Sequence, residues 1–164
     1  MDQLWAPWRL AYIKNYRAPG PADACFLCEG LADCDDRRNL IALRTPLSVV
    51  VLNRFPYNNG HLLVAPRAHK GRLDELTSDE LLETMETVRR MVAVLGELMH
   101  PDGYNVGLNL GRAAGAGLPG HLHWHVVPRW NGDTNFMPVL GDVRVISQSL
   151  DALYDLLAQR LASG

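Results

Sequence analysis

The sequence lacks the features that mark several large classes of protein. Residues 1–20 contain no uninterrupted apolar stretch of the signal-peptide kind, and no run approaches the roughly 18–20 apolar residues of a membrane span. Net charge is −2, from 16 basic and 18 acidic residues, which argues against non-specific binding to nucleic acid or to membranes. Three cysteines are an odd number and disfavour a disulfide framework. We therefore expect a cytoplasmic protein.

The composition is that of an ordinary globular chain. It has 164 residues, of which 48% are apolar and 21% charged, enough to bury a sizeable core. No internal repeat, low-complexity segment or linker divides it. We predict a single domain over 1–164, with an N-terminal arm at 1–20, a core at 25–138, and a strand and helix at 139–164. The arm carries Trp5 and Trp8, which either dock on the body or a partner subunit or form simple local core.

Half of the six histidines fall within five positions, at His121, His123 and His125. They alternate with apolar residues, and a period of two is the strand period, so the three imidazoles are predicted to share one face of a strand. Pro128 lacks the N–H that a ladder needs and either ends this strand or makes it an edge. Imidazole serves as nucleophile, base or metal ligand near neutral pH. The alternatives are a solvated polar face and a chance metal-binding strand.

The rest of the chain predicts an α+β fold. Valine-rich residues 47–53 and residues 61–66 flank the turn-forming Pro56–Gly60 and indicate a hairpin. Thr77 with Glu80 fits a capping box, and a long helix follows with apolar residues at Leu81, Met85, Val88, Val92, Leu95 and Met99. Further strands are predicted at 40–43, 104–110 and 143–146, and a C-terminal helix from about Leu150. The expected architecture is a mainly antiparallel sheet of about five strands with one long and one C-terminal helix.

Cys25 and Cys28 form a C-x-x-C pair that could chelate one ion or act as a redox couple. A redox motif needs a βαβ context at a helix start, which this sequence does not indicate. Two thiolates do not complete a tetrahedral zinc site, and the histidines are the obvious source of the remaining ligands. We assign no role to Cys34.

A loop of small residues, Gly111–Gly120, leads directly into the first histidine. Glycine allows the backbone to approach a ligand and to point N–H groups at an anion, so the loop is a candidate phosphate cradle, although small-residue loops are common. No serine or cysteine is placed as an obvious acyl nucleophile, and no acidic cluster would hold two magnesium ions. Histidines beside this loop therefore favour attack on phosphorus. Asn53, at the end of a predicted strand, either contacts a ligand or makes an Asx-type turn.

The run His121–Val127 is similar to the H-x-H-x-H-x-x signature of the histidine triad (HIT) superfamily of nucleotide hydrolases and transferases. Asn53–His61 and Gly107–Gly111 extend the resemblance from Cys25 to about Pro138. The early Trp5–Arg9 and the segment from Pro128 to Phe136 resemble a bacterial branch near the fragile-histidine-triad and diadenosine tetraphosphate phosphorylase proteins. The resemblance implies a HIT-like fold, commonly dimeric, with an adenine nucleotide as substrate.

The resemblance also implies a mechanism. His123 would attack the α-phosphate and form a nucleotidyl-histidine intermediate, which water or phosphate then resolves. His125 would contact phosphate oxygens and His121 would orient His123. The ribose would lie against Asn53, and the phosphate against Asn109, Gly115 and Gly117. One departure is Gly117, where many relatives carry Gln or Ser, and it leaves room for inorganic phosphate as the acceptor.

Some relatives bind a structural zinc, and the matching ligand set is Cys25, Cys28, His69 and His121; no organic cofactor is implied. The leading hypothesis is an enzyme that cleaves dinucleoside polyphosphates, diadenosine tetraphosphate above all, by phosphorolysis or hydrolysis. Alternatives are an adenosine 5'-monophosphoramidase, a nucleotide-binding module with residual catalysis and a metal-binding structural protein. Partners would be a small nucleotide and a second copy of the chain, without nucleic acid or membrane.

Overall fold

The computed structural model describes residues 25–134 and 146–163. The helices are α1 (Phe26–Ala32), α2 (Ser78–Met99) and α3 (Leu150–Ala162), with short 3₁₀ turns at Leu73–Glu75 and Arg112–Ala114. The strands are β1 (Ile41–Arg44), β2 (Ser48–Leu52), β3 (Leu62–Pro66), β4 (Gly103–Leu108) and β5 (Trp124–Arg129). The predicted Trp5/Trp8 arm and most of the predicted strand 143–146 lie outside the described residues.

The described strands form one antiparallel sheet in the order β1-β2-β3-β5-β4. The predicted hairpin is present as β2 and β3, with Val50 opposite Val64. Gly60 closes its turn with φ of 77°, and a Cβ there would come within 2.9 Å of Pro128. Only glycine meets both conditions without strain. The prediction of an α+β fold with an antiparallel sheet of five strands is confirmed.

The long helix α2 begins as the sequence predicts. The Thr77 side chain accepts from the Glu80 N–H, and the Glu80 carboxylate accepts from the Thr77 N–H, which completes the capping box. The predicted buried stripe is rotated, however, because Leu81 is 40% exposed while Thr84 and Thr87 are buried. These hydroxyls are satisfied, since Thr84 donates to a carbonyl of its own helix and Thr87 bonds Ser48 of β2. Thr84 and Thr87 therefore occupy buried positions of the helix that a pattern of hydrophobic residues does not identify.

One face of the sheet is covered by helices. Helix α2 packs against β2, β3 and β5, and α3 contacts β1 and α2. The core is built from the valines and leucines of the central strands together with Met91, Leu95, Leu153 and Leu157. No helix in the described parts of the chain is long and apolar enough to cross a bilayer.

The histidine run differs from its predicted form in one way. Strand β5 begins at Trp124, so His121 and His123 lie in the segment that leads into the strand. Of the two alternatives for Pro128, the structure has the second: the strand continues to Arg129, and at Pro128 it is an edge of the described sheet. The proline is tolerated because β3 pairs with β5 only at residues 124–126, and at Pro128 the strand has β4 as its one ladder partner. Strand β5 is internal for half its length and an edge at its end.

Candidate active site and metal cluster

Apolar and histidine side chains alternate between the two faces of residues 121–126, although the strand itself begins only at Trp124. Leu122, Trp124 and Val126 all belong to the hydrophobic core. Leu122 is held by a 2.8 Å bond from its N–H to the Lys70 carbonyl, which extends the segment beside the end of β3. The rings of His123 and His125 meet edge to face, with centroids 5.1 Å apart. Because the alternate apolar side chains pack into the core, the histidine side chains lie on the opposite face of this segment.

The C-x-x-C pair lies at a helix start, contrary to the sequence-based expectation. Cys25 is the N-cap of α1, and its sulfur accepts the N–H of Cys28 at 3.4 Å. Cysteine is an uncommon N-cap, which is why the helix is not evident from sequence. The motif precedes β1 of an antiparallel sheet, and the described residues contain no βαβ unit around it. Burial raises the pKa of the Cys28 thiol to about 11, with Cys25 adding to the effect, whereas redox cysteines have lowered values.

The structure brings Cys25, Cys28, His69 and His121 together, with one ligand atom from each within 4.8 Å of the others. Cys28 Sγ lies 3.2 Å from His69 Nδ1, and Cys25 Sγ lies 3.3 Å from His121 Nδ1. Zinc bonds of about 2.3 Å to sulfur and 2.0–2.1 Å to nitrogen place neighbouring tetrahedral ligands about 3.3–3.8 Å apart. The donor set and its spacing therefore fit zinc.

The hydrogen bond of His121 Nε2 leaves Nδ1 available as a metal ligand. Its Nε2 lies 2.8 Å from the Pro66 carbonyl, and a carbonyl can only accept, so Nε2 carries the proton. Nδ1 then has a free lone pair directed at the two sulfurs. A carbonyl that fixes the tautomer of a ligating histidine is the usual outer-shell arrangement at zinc sites.

His123 has the opposite nitrogen available. Its Nδ1 lies 2.8 Å from the backbone carbonyl of His121 and must donate to it, which leaves the lone pair on Nε2. Burial lowers the pKa of His123, although the His121 carbonyl opposes that shift. A buried, neutral imidazole with its lone pair held in one direction is a competent nucleophile. The candidate metal cluster and His123 are therefore both connected to His121: the cluster includes the His121 ring, and His123 bonds the His121 carbonyl.

His125 lies beside His61, a residue to which the sequence analysis gave no chemical role. His61 Nε2 is 2.9 Å from His125 Nδ1, and the ring of Tyr57 stacks on His125 with centroids 5.7 Å apart. His125 Nε2 is buried and has no hydrogen-bond partner among the described residues. Burial and, to a smaller extent, the nearby His123 lower the pKa of His125 to about 4. One signal could have revealed His61: it directly precedes β3, the strand that pairs with β5.

Asn53 reaches the same group of residues. Its Nδ2 lies 3.2 Å from His61 Nδ1, and its Oδ1 accepts the N–H of Phe55 at 2.9 Å. The second contact is the Asx-type turn that sequence alone left as the alternative. Asn53 is half-buried, so its amide borders the site and is also part of the turn.

The small-residue loop folds back on itself before it reaches His121. Gly111 and Gly115 have φ of 74° and 89°, values that glycine adopts without strain, and the Ala116 N–H bonds the Gly111 carbonyl. Gly117 is exposed and Asn109 is half-buried at the end of β4. The loop and the histidines are contiguous in the chain.

A family model described as HIT domain matches residues 37–132, more than half of the chain. This protein belongs to the HIT family. An AP-4-A phosphorylase of Mycobacterium tuberculosis is 39% identical over 166 residues, covering 99% of this chain and 85% of that protein. The asymmetrical bis(5'-nucleosyl)-tetraphosphatase of Schizosaccharomyces pombe is 36% identical over 90 residues, covering 55% of this chain and 49% of that protein.

Solved HIT structures have the same fold. A zinc-bound histidine triad family protein from Mycobacterium smegmatis superposes with a TM-score of 0.68 at 25% identity, covering 87% of this chain and 96% of that one. A histidine triad nucleotide-binding protein from Sulfolobus tokodaii gives the same TM-score at 22% identity, covering 85% and 93%.

Proposed function

We propose that this HIT protein is an enzyme that cleaves dinucleoside polyphosphates, with diadenosine tetraphosphate as its substrate. The observation that carries the proposal is His123, whose Nδ1 is committed to the His121 carbonyl and whose Nε2 keeps its lone pair. The 39% identity to an AP-4-A phosphorylase over almost the whole chain supports the choice of substrate.

In the proposed reaction, His123 Nε2 attacks the α-phosphorus of one nucleotide. The bond to the bridging oxygen breaks, and the rest of the polyphosphate leaves with that bonding pair. The nucleotidyl-histidine is then resolved by an acceptor oxygen, which bonds the α-phosphorus as the P–N bond breaks and the electron pair returns to Nε2. His125 donates to a phosphate oxygen, the ribose contacts Asn53, and the phosphates lie against Asn109 and the backbone near Gly115 and Gly117.

We propose inorganic phosphate as the acceptor, so that the products are ADP and ATP. Gly117 offers no side chain at the position where many relatives carry Gln or Ser, which leaves space for an additional anion. The named activity of the M. tuberculosis relative supports phosphorolysis.

We further propose that Cys25, Cys28, His69 and His121 hold a zinc ion. Four protein ligands leave no open coordination position, so the zinc would be structural and would join α1 to the segment before β5. It would keep His121 in place, and the carbonyl of His121 holds the proton on His123 Nδ1.

The assembly and location follow from separate observations. We propose a homodimer, supported by the exposed edge strand β4, where Val106 is 46% exposed and one side of the backbone has no strand partner in the described sheet. We propose one domain over 1–164 and a cytoplasmic location, which agrees with three free cysteines.

The test is product analysis of diadenosine tetraphosphate incubated with the purified protein, with and without inorganic phosphate. Phosphate-dependent ADP plus ATP is expected. AMP plus ATP without phosphate would make the enzyme a hydrolase and remove the role of Gly117. No turnover in either tube, together with release of AMP from adenosine 5'-phosphoramidate, would replace the proposed substrate by a phosphoramidate.

A further inference from the structure

The loop of small residues, Gly111–Gly120, carries a single charged side chain, that of Arg112. Its other members are Gly, Ala, Leu and Pro, whose side chains have no polar group to offer an anion. Arg112 is exposed, and among the described residues its guanidinium has no hydrogen-bond or carboxylate partner. A fixed positive charge with five N–H donors is therefore available to a ligand.

A guanidinium without a partner is uncommon in the described parts of the chain. Arg54 and Arg67 each donate to a backbone carbonyl. Of the remaining basic side chains, Arg90 and Arg112 have no such contact, and Arg90 lies on the exposed side of α2. The others form ion pairs with carboxylates: Arg37, Arg38, Arg44, Lys70, Arg72, Arg89, Arg129 and Arg160.

The backbone that carries Arg112 is held by hydrogen bonds within the loop. Residues Arg112–Ala114 form a 3₁₀ turn, in which the Gly115 N–H bonds the Arg112 carbonyl at 2.9 Å. The Ala116 N–H bonds the Gly111 carbonyl at 3.2 Å and closes the loop around this turn. A ligand that binds the guanidinium therefore has to order the side chain but not the backbone beneath it.

The pairing of β4 with β5 places this turn beside the histidine segment. Leu108, the last residue of β4, lies opposite Trp124, and Gly107 lies opposite His125. The chain therefore leaves the sheet and returns to it at the same pair of residues, and His123 directly precedes that return. Arg112 and His123 thus belong to the two ends of one loop at the same end of the sheet.

The proposed substrate brings a large negative charge to this loop. Diadenosine tetraphosphate has four ionised phosphates, and cleavage at the α-phosphorus places further charge on the oxygen that leaves. A nucleophilic His123 needs a free lone pair and is therefore neutral, and backbone N–H groups carry only partial charges. Arginine binds phosphate through two parallel N–H bonds and keeps its charge at all physiological pH values.

We propose that Arg112 is a substrate-binding residue that contacts the phosphates beyond the α-phosphate and makes the enzyme specific for nucleoside polyphosphates over single-phosphate nucleotides. The assignment rests on the proposed function, because that function supplies the polyphosphate. During cleavage the guanidinium lies against the leaving polyphosphate and offsets the charge that develops there. It contacts neither the first nucleoside nor the acceptor phosphate.

The first experiment measures binding without turnover. AMP and ATP are titrated calorimetrically, without magnesium and at physiological ionic strength, into His123→Asn protein with and without Arg112→Gln. The Arg112→Gln change should weaken ATP binding on the order of 10-fold, the lower end for hydrogen bonds to charged groups, and leave AMP binding within two-fold. Arg112→Lys, which keeps the charge but not the fork, should fall between the two. Equal losses for AMP and ATP, or unchanged ATP binding, would overturn the proposal.

The second experiment measures turnover in protein that retains His123. Arg112→Gln should lower kcat/KM for diadenosine tetraphosphate on the order of 10-fold and leave the KM for inorganic phosphate unchanged. A higher KM for inorganic phosphate, with the KM for diadenosine tetraphosphate unchanged, would place Arg112 at the acceptor and contradict the proposal. If the wild-type protein does not cleave diadenosine tetraphosphate, the proposed function fails, and the difference between ATP and AMP binding still decides the role of Arg112.

A matched control is Arg90→Gln, which makes the same change of charge at an exposed arginine of α2. At about 0.15 M salt, charges separated by more than about 8 Å are largely screened, so this variant should keep wild-type ATP binding and kcat within two-fold. If Arg90→Gln weakens ATP binding as much as Arg112→Gln, the net charge of the protein explains the effect and Arg112 has no specific role.

Discussion

The candidate metal cluster and the pair His123 and His125 occupy neighbouring positions of one segment, and their imidazole rings are oriented in opposite ways. His121 has both ring nitrogens directed at protein groups, the Pro66 carbonyl and the two cysteine sulfurs. His123 and His125 each have Nδ1 hydrogen-bonded within the protein, and their Nε2 atoms remain for a ligand. Among these histidines the tautomer, and not the residue type, decides which ring nitrogen faces the protein and which remains for a ligand.

The two regions also differ in what supports them. The metal cluster draws ligands from α1, from the loop after β3 and from the start of the β5 segment, so it ties distant parts of the chain together. The pair His123 and His125 is held by one backbone carbonyl and by the hairpin turn that carries Tyr57 and His61. A change at one region should therefore affect folding, and a change at the other should affect chemistry.

The largest effect is expected from His123→Asn. Asparagine has no nucleophilic nitrogen, so turnover of diadenosine tetraphosphate should fall on the order of 10⁴-fold or more, while the affinity for AMP stays within a few-fold. Chromatographic product assays and calorimetric titration measure the two quantities. If the variant still turned over substrate, the nucleophile would be another residue, and the two regions would not have separate roles.

The next effect is expected from Cys28→Ser, which removes one soft ligand from the metal cluster. Bound zinc should be lost and the free energy of unfolding should fall by about 4 kcal/mol, as for loss of a structural metal, while residual turnover persists in the folded fraction. Elemental analysis and urea titration are the measurements. Cys34→Ser is the control, since Cys34 is exposed and its replacement should stay within about 0.5 kcal/mol. Loss of turnover as complete as in His123→Asn would make the cluster catalytic.

The pH dependence of stability should distinguish the two regions further. The pKa of His125 is about 4 in the folded protein, against about 6.5 unfolded, so between these values the unfolded chain binds a proton that the folded protein does not. Stability should therefore fall as the pH is lowered from about 6.5 to about 4, by up to about 1.4 kcal/mol per pH unit. Urea titrations of wild type and His125→Asn give the difference, in which metal release cancels. Equal slopes would contradict the burial of a neutral His125.

The smallest effect is expected from Thr77→Ala at the start of α2. Loss of the cap bond to the Glu80 N–H should cost about 1 kcal/mol of unfolding free energy. Because the cap contacts neither region, zinc content and kcat should remain those of the wild type. A parallel loss of zinc or of kcat would mean that the two regions respond to general destabilisation and are not independent.

Much of this arrangement could be predicted because it depends on local patterns. The capping box at Thr77, the hairpin around Gly60 and the alternation of Leu122, Trp124 and Val126 are local rules, and each is present in the structure. That Cys25, Cys28, His69 and His121 lie together was predicted through resemblance, since spacing identifies Cys25 and Cys28 but not His69, and their binding of zinc stays a prediction. What failed were the helix start at Cys25 and the orientation of α2, where a sulfur cap and satisfied threonine hydroxyls replace the usual residue types.

By itself the sequence determined the fold class, the three-histidine segment and the paired cysteines, because period, capping and spacing act over a few residues. Only the tertiary structure decided the chemistry of each histidine. The Pro66 carbonyl beside His121 and the His61 ring beside His125 come from 55 and 64 residues away in the chain. A proton on an imidazole is assigned by the group that it faces, and that group is known only when distant strands have paired.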